Sequence, residues 1–170
     1  MRVTYNRELR IKQQLDQIGI DSFIPMRYEL VETTDGRKRK LVPAVHNLIF
    51  IHSTQETITD LKMTRREFEP LRYIIITSIE NQKSEILRVP DRQMENFMRV
   101  ASVQDDSVMF LDYQDFIGKE GRRVRINEGY FAGVEGVIKR IKKNRHVVVQ
   151  IEGVTAVAIT FVPSSYLSFI

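Results

Sequence analysis

The residues in this chain whose types invite chemistry are a run of four cations, Arg37-Lys38-Arg39-Lys40, and three histidines, His46, His52 and His146. Consecutive cations suit phosphate, whereas histidines suit metal ligation or proton transfer. On one strand His46 and His52 share a face but stand about 20 Å apart at ~3.3 Å per residue, too far for one metal ion. His146 lies elsewhere, beside "KKNR". The chain has no HExxH, no GxSxG and no phosphate-cradling glycine loop. No carboxylate pair stands apart from the surface charge pattern as an acid–base couple would. Ordinary strand or turn positions account for the histidines, so the expectation is no enzyme, no catalytic residue, no metal and no cofactor.

The cations remain. They follow Asp35-Gly36, a strong hairpin signal between two extended runs, so they occupy the tip and return arm of a β-hairpin. One reading is a solvated end that blocks edge association, and the other is a finger reaching for nucleic-acid backbone. Alternation sends Arg37 and Arg39 to one face and Lys38 and Lys40 to the other.

The elements around them follow from pattern. "TYNRELRIKQQLDQIGI" reads as an amphipathic helix, with Leu9, Ile11, Leu15 and Ile18 near helical spacing, Asn6 as a cap and Gly19 as a stop. "DSFIPMRYELVE" is β-prone. "KLVPAVHNLIFIHS" is nearly continuous in apolar residues, as in a strand covered on both faces. Its stripe of Val45, Leu48, Phe50 and Ile51 is core or an exposed patch, and periodicity does not separate the two. "TQETITDLKMTRREFE" is helical from a Thr or Ser start, and "LRYIIITS" reads as a buried strand. "VPDRQMENFMRVAS" is a short helix entered at Pro90 with Met94, Phe97 and Met98 on one side. Helices interleaved with hairpins make an α+β layer with antiparallel pairing.

After Ser102 the texture changes. Residues 102–118 are acidic and irregular, and are expected to link residues 1–101 to a second domain over 119–170. There "RRVRI", "GVIKRI", "HVVVQI" and "VTAVAITFV" alternate with turn signals, the pattern of a small closed barrel. Its β-branched residues argue against conversion to a helical form.

Composition bounds the rest. At 170 residues, with 42% hydrophobic and 28% charged residues, the chain is globular. It lacks an apolar run near the ~20 residues a membrane helix needs. The absence of cysteine excludes disulfides, thiolate catalysis and cysteine-ligated zinc, and a reducing cytoplasm is the expected address. A net charge of +4 permits nucleic-acid contact without demanding it.

The stretch "VRINEGYFAGVEGVIKRI" places Gly129, Gly133 and Gly136 between two basic β-prone runs. Gly129 suits a turn needing positive φ, and Gly136 suits a point where a side chain would obstruct closure. Phe131 between them is core or a partner anchor. This stretch resembles the KOW motif: a V-R-V-like strand, a turn ending in Glu-Gly, an aromatic, Ala-Gly, then a central Gly. The N-terminal half, "NRELRIKQQLDQIGIDSFIPMRYE", "DGRKRK" and "PAVHNLIFI", resembles the N-terminal domain of NusG-type transcription factors. "RVTYNRE" and "VPAVHNLIFIH" look closest to specialised UpxY-like antiterminators of capsular polysaccharide operons. Two departures stand out. The family opens with a Trp-Tyr strand, whereas this chain begins near that strand's end, so a central strand is expected to be incomplete. Of the family's "P-L-F-P-G-Y" element only Pro43 is kept, which alters the polymerase-facing surface.

The resemblance implies a non-enzymatic elongation and antitermination factor with an SH3-like KOW barrel. It implies an RNA polymerase contact through Val45, Leu48 and Phe50, with Thr59, Leu61 and Lys62 on the adjacent helix. It puts the hairpin cations Arg37, Lys38, Arg39 and Lys40 towards the DNA backbone. Arg125, Gly129, Phe131 and Gly136 would serve a KOW partner, a termination factor or ribosomal protein. Protein is expected there in preference to nucleic acid, because alternation should split the barrel's basic residues between faces and Glu128 and Glu135 would repel phosphate. The alternative from a different class is an RNA-binding or ribosome-associated KOW protein.

Overall fold

The computed structural model describes residues 1–77, 83–111 and 121–170. They fall into two compact units, Met1–Arg88 and Val89–Ile170.

In the first unit, β1 (Arg2–Val3) pairs antiparallel with β6 (Leu71–Arg72) and bridges to Leu48 on its other side. Helix α1 (Glu8–Gln17) ends before Gly19, whose φ of 72° is the left-handed conformation a helix stop requires. Its phase differs from expectation. Leu9 is 50% exposed while Glu8 is buried, because Glu8 Oε1 accepts the Asn47 backbone N–H at 3.2 Å. Asn6 does not cap the helix; Arg7 precedes it without a side-chain cap bond. The short strand β2 (Ser22–Phe23) pairs with β5 (Phe50–Ile51).

The hairpin forms as β3 (Met26–Thr33) and β4 (Gly36–Pro43), with Thr33 opposite Gly36. The long return strand does not continue, however. Asn47, at φ 59°, turns the chain between Pro43 and the bridge at Leu48. Its Oδ1 accepts the Asn6 N–H and its carbonyl accepts the Val3 N–H, which fixes the turn. Beyond it Leu48 and Ile49 are both fully buried, so the chain here is covered on both faces. Helix α2 (Gln55–Thr64) starts at Thr54, whose hydroxyl accepts the Thr57 N–H at 3.1 Å. A core of Val3, Ile11, Leu15, Ile24, Ile49, Leu61, Phe68 and Leu71 joins these elements. The strand expected at "LRYIIITS" is not buried throughout. After β6 the chain forms a small ladder, β7 (Ile75–Thr77) with β8 (Ser84–Ile86), on which Ile75 and Ile76 are exposed.

In the second unit, α3 (Asp91–Ala101) begins after Pro90, as expected, and buries Phe97, Val100 and Ala101. It packs against the strands that follow it, so it groups with the second unit and not with residues 1–101. Part of the expected linker is also strand. β9 (Val108–Leu111) is hydrogen-bonded into the C-terminal sheet, whereas residues 112–118 lie outside the described residues. That sheet holds β10 (Arg123–Ile126), β11 (Glu135–Ile141), β12 (Asn144–Ile151), β13 (Thr155–Ile159) and β14 (Leu167–Phe169). Its order is β14-β10-β11-β12-β13-β9, antiparallel throughout. Val124, Ile126, Val147, Val149, Ile151, Val157 and Ile159 are all buried. Lys142 and Lys143 both have positive φ, which closes the β11–β12 hairpin with its right-handed twist.

Candidate functional site

The hairpin fixes where the four cations point. Arg37, Lys38, Arg39 and Lys40 are all exposed on β4, opposite Glu32, Val31, Leu30 and Glu29. Arg37 and Arg39 share a face with Tyr28, Leu30 and Leu41, and the Arg39 guanidinium lies 4.8 Å from the Tyr28 ring centroid. Arg37 and Lys38 make only loose pairs, at 3.4 Å to Glu32 and 3.6 Å to Asp35. The tip is therefore strongly basic, and its exposed Tyr28 and Leu30 make one face amphipathic.

The residues grouped as a polymerase contact divide. Leu48 and Leu61 are buried in the core and present nothing outward. Both are strand or helix positions whose periodicity marks a face without saying what covers it. Val45 and Phe50 are half-buried, before and after the Asn47 turn. Thr59 and Lys62 come together on Tyr73, which sequence reasoning missed. The Thr59 and Tyr73 hydroxyls are 2.9 Å apart, and Lys62 Nζ sits 4.7 Å from the Tyr73 ring centroid. Partial burial lowers the Lys62 pKa, and Arg72 lowers it further. Beside them Gln55, Glu56, Thr59, Asp60 and Met63 line an open depression on α2, and Met63 is 82% exposed. An exposed methionine next to a held aromatic–cation pair is a surface suited to an apolar partner with a polar rim.

The KOW-like loop is bounded by β10 and β11. Gly129 has φ 83° and Gly133 has φ 89°, and the chain closes on itself through Gly133 N–H to Ile126 O at 2.6 Å. Gly136 is required for a different reason. A Cβ there would sit 2.7 Å from the Val148 carbonyl oxygen and 2.8 Å from Val147 Cγ1. Phe131 is half-buried and stacks edge-to-face on Tyr130 at 5.1 Å, so the ring left in the open is that of Tyr130.

The basic residues of β11 split as expected, Lys139 buried and Arg140 exposed, but those of β10 do not. Arg123 and Arg125 are two apart on β10, so both leave one face while Val124 and Ile126 are buried. Glu135 does not stand as a free negative charge. Arg125 Nη2 and Arg92 Nη2 each lie 2.5 Å from its Oε1, and Arg123 is 3.9 Å from Oε2. The Arg125 hydrogen bond, helped by the charges of Arg92 and Arg123, holds the Glu135 carboxyl below the usual glutamate value. Because the folded pKa is the lower one, this contribution to stability is complete above the unfolded pKa and is lost as pH falls through the folded value. Acid unfolding of the wild type is thus expected to steepen below about pH 4.5 relative to Glu135→Gln. Superimposable acid limbs in a pH series of thermal melts would remove Glu135 from that account.

His46 and His52 are exposed and no longer share a strand, whereas His146 is buried beside Lys139 with its Nδ1 unpartnered. Among the described residues, no three His, Cys, Asp or Glu side chains stand where they could hold a metal ion, and no helix is long and apolar enough to cross a membrane.

The described residues form a mixed helix-and-hairpin unit and a β-rich unit, with exposed basic and apolar surfaces. Comparison with protein families names the class: residues 1–98, more than half of the 170, match the family described as "Transcription termination factor nusG". The chain belongs to the NusG family, whose members are non-enzymatic transcription factors that generally bind RNA polymerase. A search of the curated proteins finds no match.

Proposed function

We propose that this NusG-family chain is an elongation and antitermination factor, acting in the cytoplasm on a polysaccharide operon, that docks on RNA polymerase through its first unit. In this reading the outer face of α2, with Thr59, Lys62, Tyr73 and Met63, is the centre of the docking surface, and half-buried Val45 and Phe50 are its second part. The basic hairpin lies along DNA backbone. The second unit, a KOW-type SH3-like barrel, recruits a further protein through the loop around Phe131, in kind a termination factor or ribosomal protein.

The observation that supports docking on α2 is the 82% exposure of Met63 beside the Thr59–Tyr73–Lys62 cluster, within the residues that match the family. Capture of core RNA polymerase by the full chain tests it. Met63→Asp and Lys62→Glu are each expected to weaken capture about tenfold or more, since a charge is placed in the middle of a desolvated patch. Neutralising Arg37, Lys38, Arg39 and Lys40 together is expected to leave capture intact while lowering antitermination and flattening its salt dependence. Wild-type chain that captures no polymerase would sink the function; capture indifferent to both α2 substitutions would sink the surface.

A further inference from the structure

Polymerase docking and the Phe131 loop leave Arg92, Arg99 and Arg123 of the second unit without a role, although they gather around Arg125 and the loop. Arg92, Arg123 and Arg125 converge on the single carboxylate of Glu135, three cations against one anion. Each guanidinium carries five N–H donors in a fixed fork, so one carboxylate uses few of them. Glu135 therefore acts as a pin that orders the arginines while most of their donors stay outward. The side chains of Arg92 and Arg123 remain 70% exposed. Further along α3, Arg99 lies seven residues, about two helical turns, beyond Arg92 and so on the same side. It donates to the Tyr130 carbonyl at 3.1 Å, and the Tyr130 ring is 76% exposed.

We infer that α3, β10 and the β10–β11 loop form a binding face for single-stranded nucleic acid, with phosphates along Arg92, Arg99, Arg123 and Arg125 and a base stacked on Tyr130. The arginines alone would suit any polyanion. The open ring decides in favour of an unpaired strand, because a base must leave its helix to stack on a side chain. Preordered guanidiniums also lose less freedom on binding than solvated lysines would. Glu95 on α3 and Glu128 in the loop are exposed carboxylates on the same elements, and both weaken the face. This surface belongs to the second unit alone and does not depend on polymerase docking.

Fluorescence anisotropy of the full chain at about 0.15 M salt tests it, with labelled 12-nucleotide oligo(U) RNA, oligo(dT) of the same length, and a 12-base-pair DNA duplex. Both single strands are expected to bind more tightly than the duplex, and tighter binding of RNA than DNA would mark the 2′-hydroxyl as part of what is read. The double variant Arg92→Gln/Arg123→Gln leaves Arg125 to pair Glu135. It is expected to weaken single-strand binding tenfold or more and to lower the log–log salt slope by about 1.4, at ~0.7 per lost contact. Tyr130→Ala is expected to weaken binding by about tenfold with the slope unchanged, the signature of lost stacking. Glu128→Gln is expected to tighten it. Neutralising the four hairpin cations should leave single-strand binding in place. Preferred binding of duplex, or single-strand binding removed by the hairpin variant and retained by Arg92→Gln/Arg123→Gln, overturns the inference. Capture of polymerase, run on the same variants, reports separately on the docking surface.

Discussion

Leu48→Asp is expected to unfold the first unit, not to yield a folded chain deaf to polymerase. Leu48 and its neighbour Ile49 are both fully buried, and Leu48 bridges to Arg2 of β1. A carboxylate there loses the leucine's burial and must give up its water. Each effect is worth a few kcal/mol, and together they rival the ~5–15 kcal/mol that holds a typical domain. Circular dichroism and a thermal melt check this directly, with Leu48→Ala as the milder companion at about 2–4 kcal/mol. A folded Leu48→Asp chain that fails only to capture polymerase would return the side chain to the docking surface.

Gly136→Ala is expected to be strongly destabilising to the second unit. The new Cβ would meet the Val148 carbonyl oxygen at 2.7 Å and the Val148 carbonyl carbon at 3.2 Å. Those are backbone atoms of β12, which pairs with β11 at the adjacent position, Val137 with Val148. Backbone inside a ladder cannot swing aside as a side-chain tip can, so the two strands must separate locally. A cost of about 2–4 kcal/mol follows from overpacking, and a midpoint lower by roughly 10–20 °C in a unit of this size. Gly153→Ala is the control: φ is 70° there, unlike at Gly136, but nothing lies within 4 Å of the added atom, so only backbone strain of about 1 kcal/mol remains. Equal melting of the two variants would show that β11 and β12 yield to the contact.

How far the sequence could be read depended on whether a feature was local. The Thr54 cap, the Pro90 helix start, the hairpin, the four C-terminal strands and the positive φ of Gly129 rest on interactions within a few residues, and each forms where expected. The obstruction at Gly136 was also foreseeable, since a lone glycine in a β-prone run marks close approach. Features that depend on distant partners were not legible. Glu8 is buried and Leu9 exposed because a turn 39 residues away supplies an N–H to the glutamate. That turn at Asn47 also broke a strand whose apolar run looked continuous. In the candidate surfaces, apolar period identified Leu48 and Leu61 but could not say they face inward. Tyr73 and Tyr130 matter through a cation brought to each by folding, Lys62 over the Tyr73 ring and Arg99 on the Tyr130 carbonyl, and no local pattern announces either.

The grouping of α3 with the second unit bears on how such chains can be cut and recombined. Residues that match the family run through residue 98, inside a helix that ends at Ala101 and packs on β9, β12 and β13. An exchange of C-terminal modules spliced after residue 98 would sever that helix and strip the recipient sheet of Arg92, Gln93 and their bonds to Glu135 and the Gln150 carbonyl. A splice between Arg88 and Val89 moves the helix with its sheet. The heritable module on the C-terminal side therefore begins before the family's own boundary, and chimaeras joined at that earlier point are the ones expected to stay soluble.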